Sequence, residues 1–174
     1  MRSWVRRSSA LSIACAIACG GSEKQSAPPG VSTEPSRDVA VYAFDSLDAR
    51  PVSSAAFAGK PVVVTFITTY DPISQMQVRY LVDLAASSDM AGVAFALVAL
   101  QEPAQRELVE LYREAMKVTF PVALGDEATI AGGGSLGDVH QVPTTLVFAR
   151  DGHVAWRKVG GATDTEIRKH VAGL

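Results

Sequence analysis

The chain has 174 residues, 48% of them hydrophobic and 20% charged. That length builds one domain with a full core and is too short for two of ordinary size. The formal net charge of −2 at pH 7 argues against nucleic acid as a partner, because a phosphate backbone is held by a surplus of basic residues.

The first 18 residues carry Arg2, Arg6 and Arg7 and no acid; the apolar stretch ALSIACAIA lies within them, and CGGS follows. A basic start, a short apolar run and small residues are the three parts of an export signal. The run falls short of the ~20 apolar residues that span a bilayer, so residues 1–18 are read as a signal peptide. Its removal leaves 13 basic against 18 acidic residues, a formal charge of −5. Both cysteines, Cys15 and Cys19, lie in or at the edge of this segment, so from Gly20 onward there is no thiol and no disulfide. Residues 19–38 include GGSEKQSAPPG, the small, polar, Pro/Gly-rich composition of a flexible tether.

Residues 39–174 form the domain. VAVYAF at 39–44 suits a short strand, and DSLDARPVSSAAFAGK after it is a turn-rich connection. PVVVTFIT at 61–68 is β-branched and continuously apolar, as a central strand buried on both faces requires. From Pro72 to Ser88 the period becomes helical, with Ile73, Met76, Tyr80 and Leu84 on the apolar face and Gln75, Arg79 and Asp83 opposite. VAFALVAL at 93–100 is a second buried strand. A helix opening near Pro103 places Leu108, Leu111, Tyr112 and Ala115 on one side and Arg106, Glu110 and Arg113 in solvent. FPVAL at 120–124 and a glycine-rich segment lead to an alternating hairpin turning at Asp151-Gly152. A last amphipathic helix, capped by Thr163 or Asp164, ends before Gly173. This order predicts an α/β fold with a parallel core and an antiparallel hairpin edge.

Between the first buried strand and the first helix stands the corner TTYDPISQ, residues 68–75. Asp71 followed by Pro72 is a helix start: the carboxylate accepts from free N–H groups and the proline needs none. The positive end of the helix dipole favours negative charge there.

GKPVVVTF, the corner TTYDPIS, QVPTTLVFARDG and the terminal helix together resemble the thioredoxin superfamily, most closely its TlpA/ResA and AhpC/TSA-like (redoxin) branch, over residues 39–172. The resemblance implies a three-layer sandwich, a central mixed sheet flanked by helices, and a cis bond between Val142 and Pro143 facing the corner. Where the redox-active family carries W-C-x-x-C, this chain has Tyr70-Asp71-Pro72-Ile73-Ser74, so Asp71 and Ser74 occupy the thiol positions. Dithiol exchange needs a thiolate to attack and a second thiol to resolve; a carboxylate and an unactivated hydroxyl do neither. The expected function is therefore a redox-inactive thioredoxin-like module that binds or scaffolds. It needs no cofactor, and its partner is an envelope protein or extended peptide held at Tyr70, Asp71, Pro72, Ile73, Val142 and Pro143.

Two alternatives stay open: a non-thiol enzyme or metal site built from Asp71, Ser74 and His140, and a thiol-disulfide oxidoreductase of the family type that lacks the residues for it. A hydrolase needs a positioned base and an oxyanion hole, and a tight metal site usually wants three or more protein ligands. The glycine run 132–134 lacks the Lys-Ser/Thr pair of a phosphate loop. AIAC at 16–19 resembles the lipobox of bacterial lipoproteins, with Ala16 where Leu is usual and SIAC ending at Cys15 as a competing match. It implies an acylated Cys19, attachment to the membrane through that lipid, and a domain facing the periplasm; Gly20 after the cysteine favours the outer membrane.

Overall fold

The structure, a computed structural model, describes residues 38–174. Cys15, Cys19, the signal peptide and the tether up to Arg37 lie outside the described residues. Seven strands and four helices follow in the order β1 (Ala43–Ser46), β2 (Val52–Ser53), β3 (Val62–Ile67), α1 (Pro72–Ala86), β4 (Ala94–Ala99), α2 (Arg106–Ala115), β5 (Val122–Leu124), α3 (Glu127–Ile130), β6 (Thr144–Phe148), β7 (Val154–Val159) and α4 (Asp164–Val171). No described helix is long and apolar enough to cross a membrane.

The strands form one sheet in the order β2-β1-β5-β4-β3-β6-β7. β3, β4 and β5 are parallel, while β6, β7 and the β1–β2 pair run antiparallel to their neighbours, giving the expected parallel core with a hairpin edge. β3 is buried along its whole length, between β4 and β6. Successive residues of β3 and β4 point to opposite faces and fill two separate clusters. Val63, Ile67, Phe95 and Leu97 pack with α1, α2 and α4; Val62, Val64, Phe66 and Val98 pack with Tyr42, Phe44, Leu136 and Val139. The sheet thus lies between a helical layer of α1, α2 and α4 and a second apolar layer that includes Leu136 and Val139 at the end of the glycine-rich segment.

Three expectations need correction. The run at 39–44 pairs as a strand only from Ala43; Val39 makes an isolated bridge to His153, and Val41 is 74% exposed. The turn-rich connection contains the short strand β2. The third concerns the helix faces. α1 buries Ser74, Gln77, Val78, Leu81 and Leu84, and leaves Ile73, Met76 and Tyr80 about half exposed. α2 buries Val109 and exposes Leu108 and Leu111.

α4 starts as the sequence suggests, with Thr163 as the cap. Thr163 Oγ1 accepts from Glu166 N–H (3.2 Å), and Glu166 Oε2 accepts from Thr163 N–H (2.9 Å), a reciprocal capping box. The Trp156 ring of β7 stacks on His170 of α4 with centroids 4.6 Å apart, which seats the last helix against the hairpin.

Candidate binding corner

The sheet register creates the corner. Phe66 of β3 pairs with Thr144 of β6, so the chain leaving β3 runs beside the chain entering β6, which contains Val142 and Pro143. The Val142–Pro143 bond is cis, as the resemblance implied. Pro143 is buried, and its carbonyl accepts from Gly160 N–H at 2.8 Å. The next residue, Gly161, lies against α1: a Cβ there would stand 3.7 Å from Ile73 Cγ2. Pro143, Gly160, Gly161 and Ile73 therefore follow one another around the mouth of the corner.

Two glutamines fix the strand-to-helix turn. Thr69 N–H donates to Gln101 Oε1 (3.0 Å), at the end of β4, and Thr69 C=O accepts from Gln75 Nε2 (2.9 Å), in the first turn of α1. The next residue, Tyr70, is held out with 71% of its surface exposed. Gln101 is 2% exposed. No sequence pattern marks a polar residue as buried, so this clamp was not foreseen.

Asp71 has extended backbone (φ −83°, ψ 122°), and its Oδ2 accepts from Ser74 N–H at 2.6 Å while its carbonyl accepts from Gln75 N–H at 3.0 Å. It is the helix cap. The Tyr112 hydroxyl of α2 is pushed up to about 12 by burial, with Arg79 drawing it down and Asp71 raising it further; the Asp71 charge thus reaches the neighbouring helix. Ser74 has no exposed surface, and its hydroxyl has no hydrogen-bond partner. A nucleophilic hydroxyl requires both a base and access, and Ser74 has neither in this conformation.

His140 is exposed and turned to the glycine-rich segment. Its Nε2 lies 3.8 Å from Asp138 Oδ1, and its ring covers Gly132 (φ +90°), where a Cβ would meet Nδ1 at 2.0 Å. No hydrogen bond or ion pair joins it to Asp71 or Ser74. Among the described residues no group of three or more His, Cys, Asp or Glu side chains could hold a metal ion. The structure gathers Tyr70, Asp71, Pro72, Ile73, Val142 and Pro143 at one corner and leaves His140 engaged elsewhere.

The N–H and C=O of Val142 make no hydrogen bond to any described residue, and beside them stand the exposed side chains of Tyr70, Pro72 and Ile73. Free main-chain groups next to an apolar patch are what an extended peptide pairs with.

A family model described as "AhpC/TSA family" matches residues 36–157. Among solved structures, the chain resembles a thiol:disulfide interchange protein of the thioredoxin family from Chlorobium tepidum (22% identity, TM-score 0.65, 81% of this chain and 95% of that one). It is also similar to a DsbF homologue from Corynebacterium diphtheriae (18% identity, TM-score 0.70, 85% and 97%) and to StoA from Bacillus subtilis (19% identity, TM-score 0.62, 76% and 97%). At such identities the likeness establishes the shared fold. No curated protein is significantly similar in sequence.

Proposed function

The chain belongs to the AhpC/TSA family, and we propose that within it this protein is an envelope-tethered, redox-inactive binding or scaffolding module. Its corner holds an extended segment of an envelope protein. Tyr70, Pro72 and Ile73 cover the segment's apolar side chains, and the main chain of Val142 pairs with its backbone. No cofactor takes part.

One observation carries this reading: Tyr70 and Ile73, at 71% and 49% exposure, stand open beside the cis-proline, while Asp71 is committed to capping and Ser74 is sealed. The absence of cysteine from Gly20 onward supports it, because dithiol exchange and peroxide reduction by this family both start from a thiolate. For the address, acylated Cys19 followed by the tether holds the domain on the periplasmic side of a membrane, the outer one by the Gly20 rule.

The purified wild-type chain should neither speed insulin reduction by dithiothreitol nor consume peroxide above the uncatalysed rate. With a photo-cross-linking amino acid in place of Tyr70, it should capture an envelope protein, and Ile73→Glu should remove the capture. Catalysed dithiol turnover by the wild-type chain would sink the proposal.

A further inference from the structure

The apolar surface does not stop at the corner. Ile73, Met76 and Tyr80 succeed one another along α1, at 49%, 48% and 47% exposure, on the flank turned toward the start of α4. Gly161 lies beside Ile73 at the upper end. At the lower end Tyr80 lines a cleft of about 400 Å³ with Asp83, Leu84, Thr163, Asp164 and Arg168. Between them Gln77, 1% exposed, closes the seam by accepting Ala162 N–H at 2.6 Å.

The cleft is acidic. Asp83 and Asp164 line it and Asp89 stands beside it, against one guanidinium. That guanidinium, of Arg168, is already paired with Asp89 and lies 3.7 Å from Asp164 Oδ2. The Asp83 carboxylate has no hydrogen bond or ion pair among the described residues. An aromatic wall, an apolar floor at Leu84 and a surplus of carboxylates fit the stem and head of a basic side chain.

We propose that this cleft is a second subsite, continuous with the corner, that receives a lysine or arginine side chain of the same extended segment. The proposal rests on the corner reading above. It also sets a spacing. The seven residue steps from Ile73 to Tyr80 rise about 10 Å along the helix, which an extended chain covers in about three residues. The ligand therefore carries its basic residue about three positions from the apolar residue seated at the corner.

The test uses the full chain and three terminally blocked, fluorescein-labelled octapeptides. They share an Ile-Val pair and differ only in having Lys, Gln or Glu three positions further on. By anisotropy the Lys peptide should bind about tenfold more tightly than the Gln peptide, and the Glu peptide more weakly than both. Asp83→Asn with Asp164→Asn should bring the Lys peptide down to the affinity of the Gln peptide and leave the Gln peptide as it was. An unchanged thermal midpoint confirms that this variant is folded. Equal binding of the Lys and Gln peptides, or a lysine preference that survives the double substitution, overturns the second subsite alone. If none of the three binds, the corner reading itself fails and the subsite falls with it.

Discussion

Asp71 and Ser74 are three residues apart and joined by one hydrogen bond, yet replacing them should have opposite effects. Asp71→Ala removes the acceptor for Ser74 N–H and should cost about 1 kcal/mol in urea unfolding, as loss of a helix cap does. Ser74→Ala removes a hydroxyl that is buried without a partner. It should be neutral or stabilising by up to about 1 kcal/mol, since the unfolded chain solvates that hydroxyl and the folded one does not. A loss above about 2 kcal/mol for Ser74→Ala would mean that the hydroxyl has a partner in solution. The cap was legible in the sequence because it depends only on Asp71, Pro72 and the next turn. The buried state of Ser74, Gln77 and Gln101 was not, because each is enclosed by elements distant in sequence. Gln77 is held by Ala162 and Gln101 by Thr69.

At the scale of elements, the same blindness turned the helix faces. α1 offers an apolar arc wider than the side it packs; with two polar residues inside, hydropathy alone placed Ile73, Met76 and Tyr80 in the core. α2 packs into the core through Val109 and is also tied down by charge. Arg106 donates to Asp45 Oδ2 (2.8 Å) and Ser46 O (2.6 Å), and Arg113 donates to Asp48 Oδ2 (2.8 Å), tying the helix to β1 and the turn after it. The hydrogen bond from the Arg50 side chain holds the Asp48 carboxyl at about 2, with the charge of Arg113 adding to it. In α4 the Thr163 N–H, and then Lys158, hold Glu166 at about 2. Unfolded, these carboxyls titrate near 4. Their folded values lie below that, so their stabilisation is complete above the unfolded value and is lost as pH falls through the folded one. The urea midpoint should therefore drop as pH is lowered from about 4 to about 2, and Asp48→Asn and Glu166→Gln should each flatten that drop. An identical slope in wild type and both variants would show that neither pair is held in solution.

Across the whole molecule, the fold class was legible because the apolar runs, the turn residues and the order of elements agree. The two clusters lie on opposite faces of the sheet, but they are interleaved along the same strands. In β3, Phe66 belongs to one cluster and Ile67 to the other; in β6, Leu146 and Val147 divide in the same way. The Thr65 and Thr145 hydroxyls, 3.0 Å apart and fully buried, link those strands. Neither cluster can loosen without disturbing a strand that the other requires, so the two faces should unfold together. Phe66→Ala, which opens a cavity on the side away from the long helices, should cost about 3–5 kcal/mol. From Gly20 onward Trp156 is the one tryptophan, and it reports the helical face. Its fluorescence and the far-UV circular dichroism should move to the same lower urea midpoint in Phe66→Ala. If Trp156 keeps its original midpoint while the dichroism shifts, the faces are independent, and the corner, whose strands β3 and β6 join both, would lack the rigid frame that peptide binding at Pro143 requires.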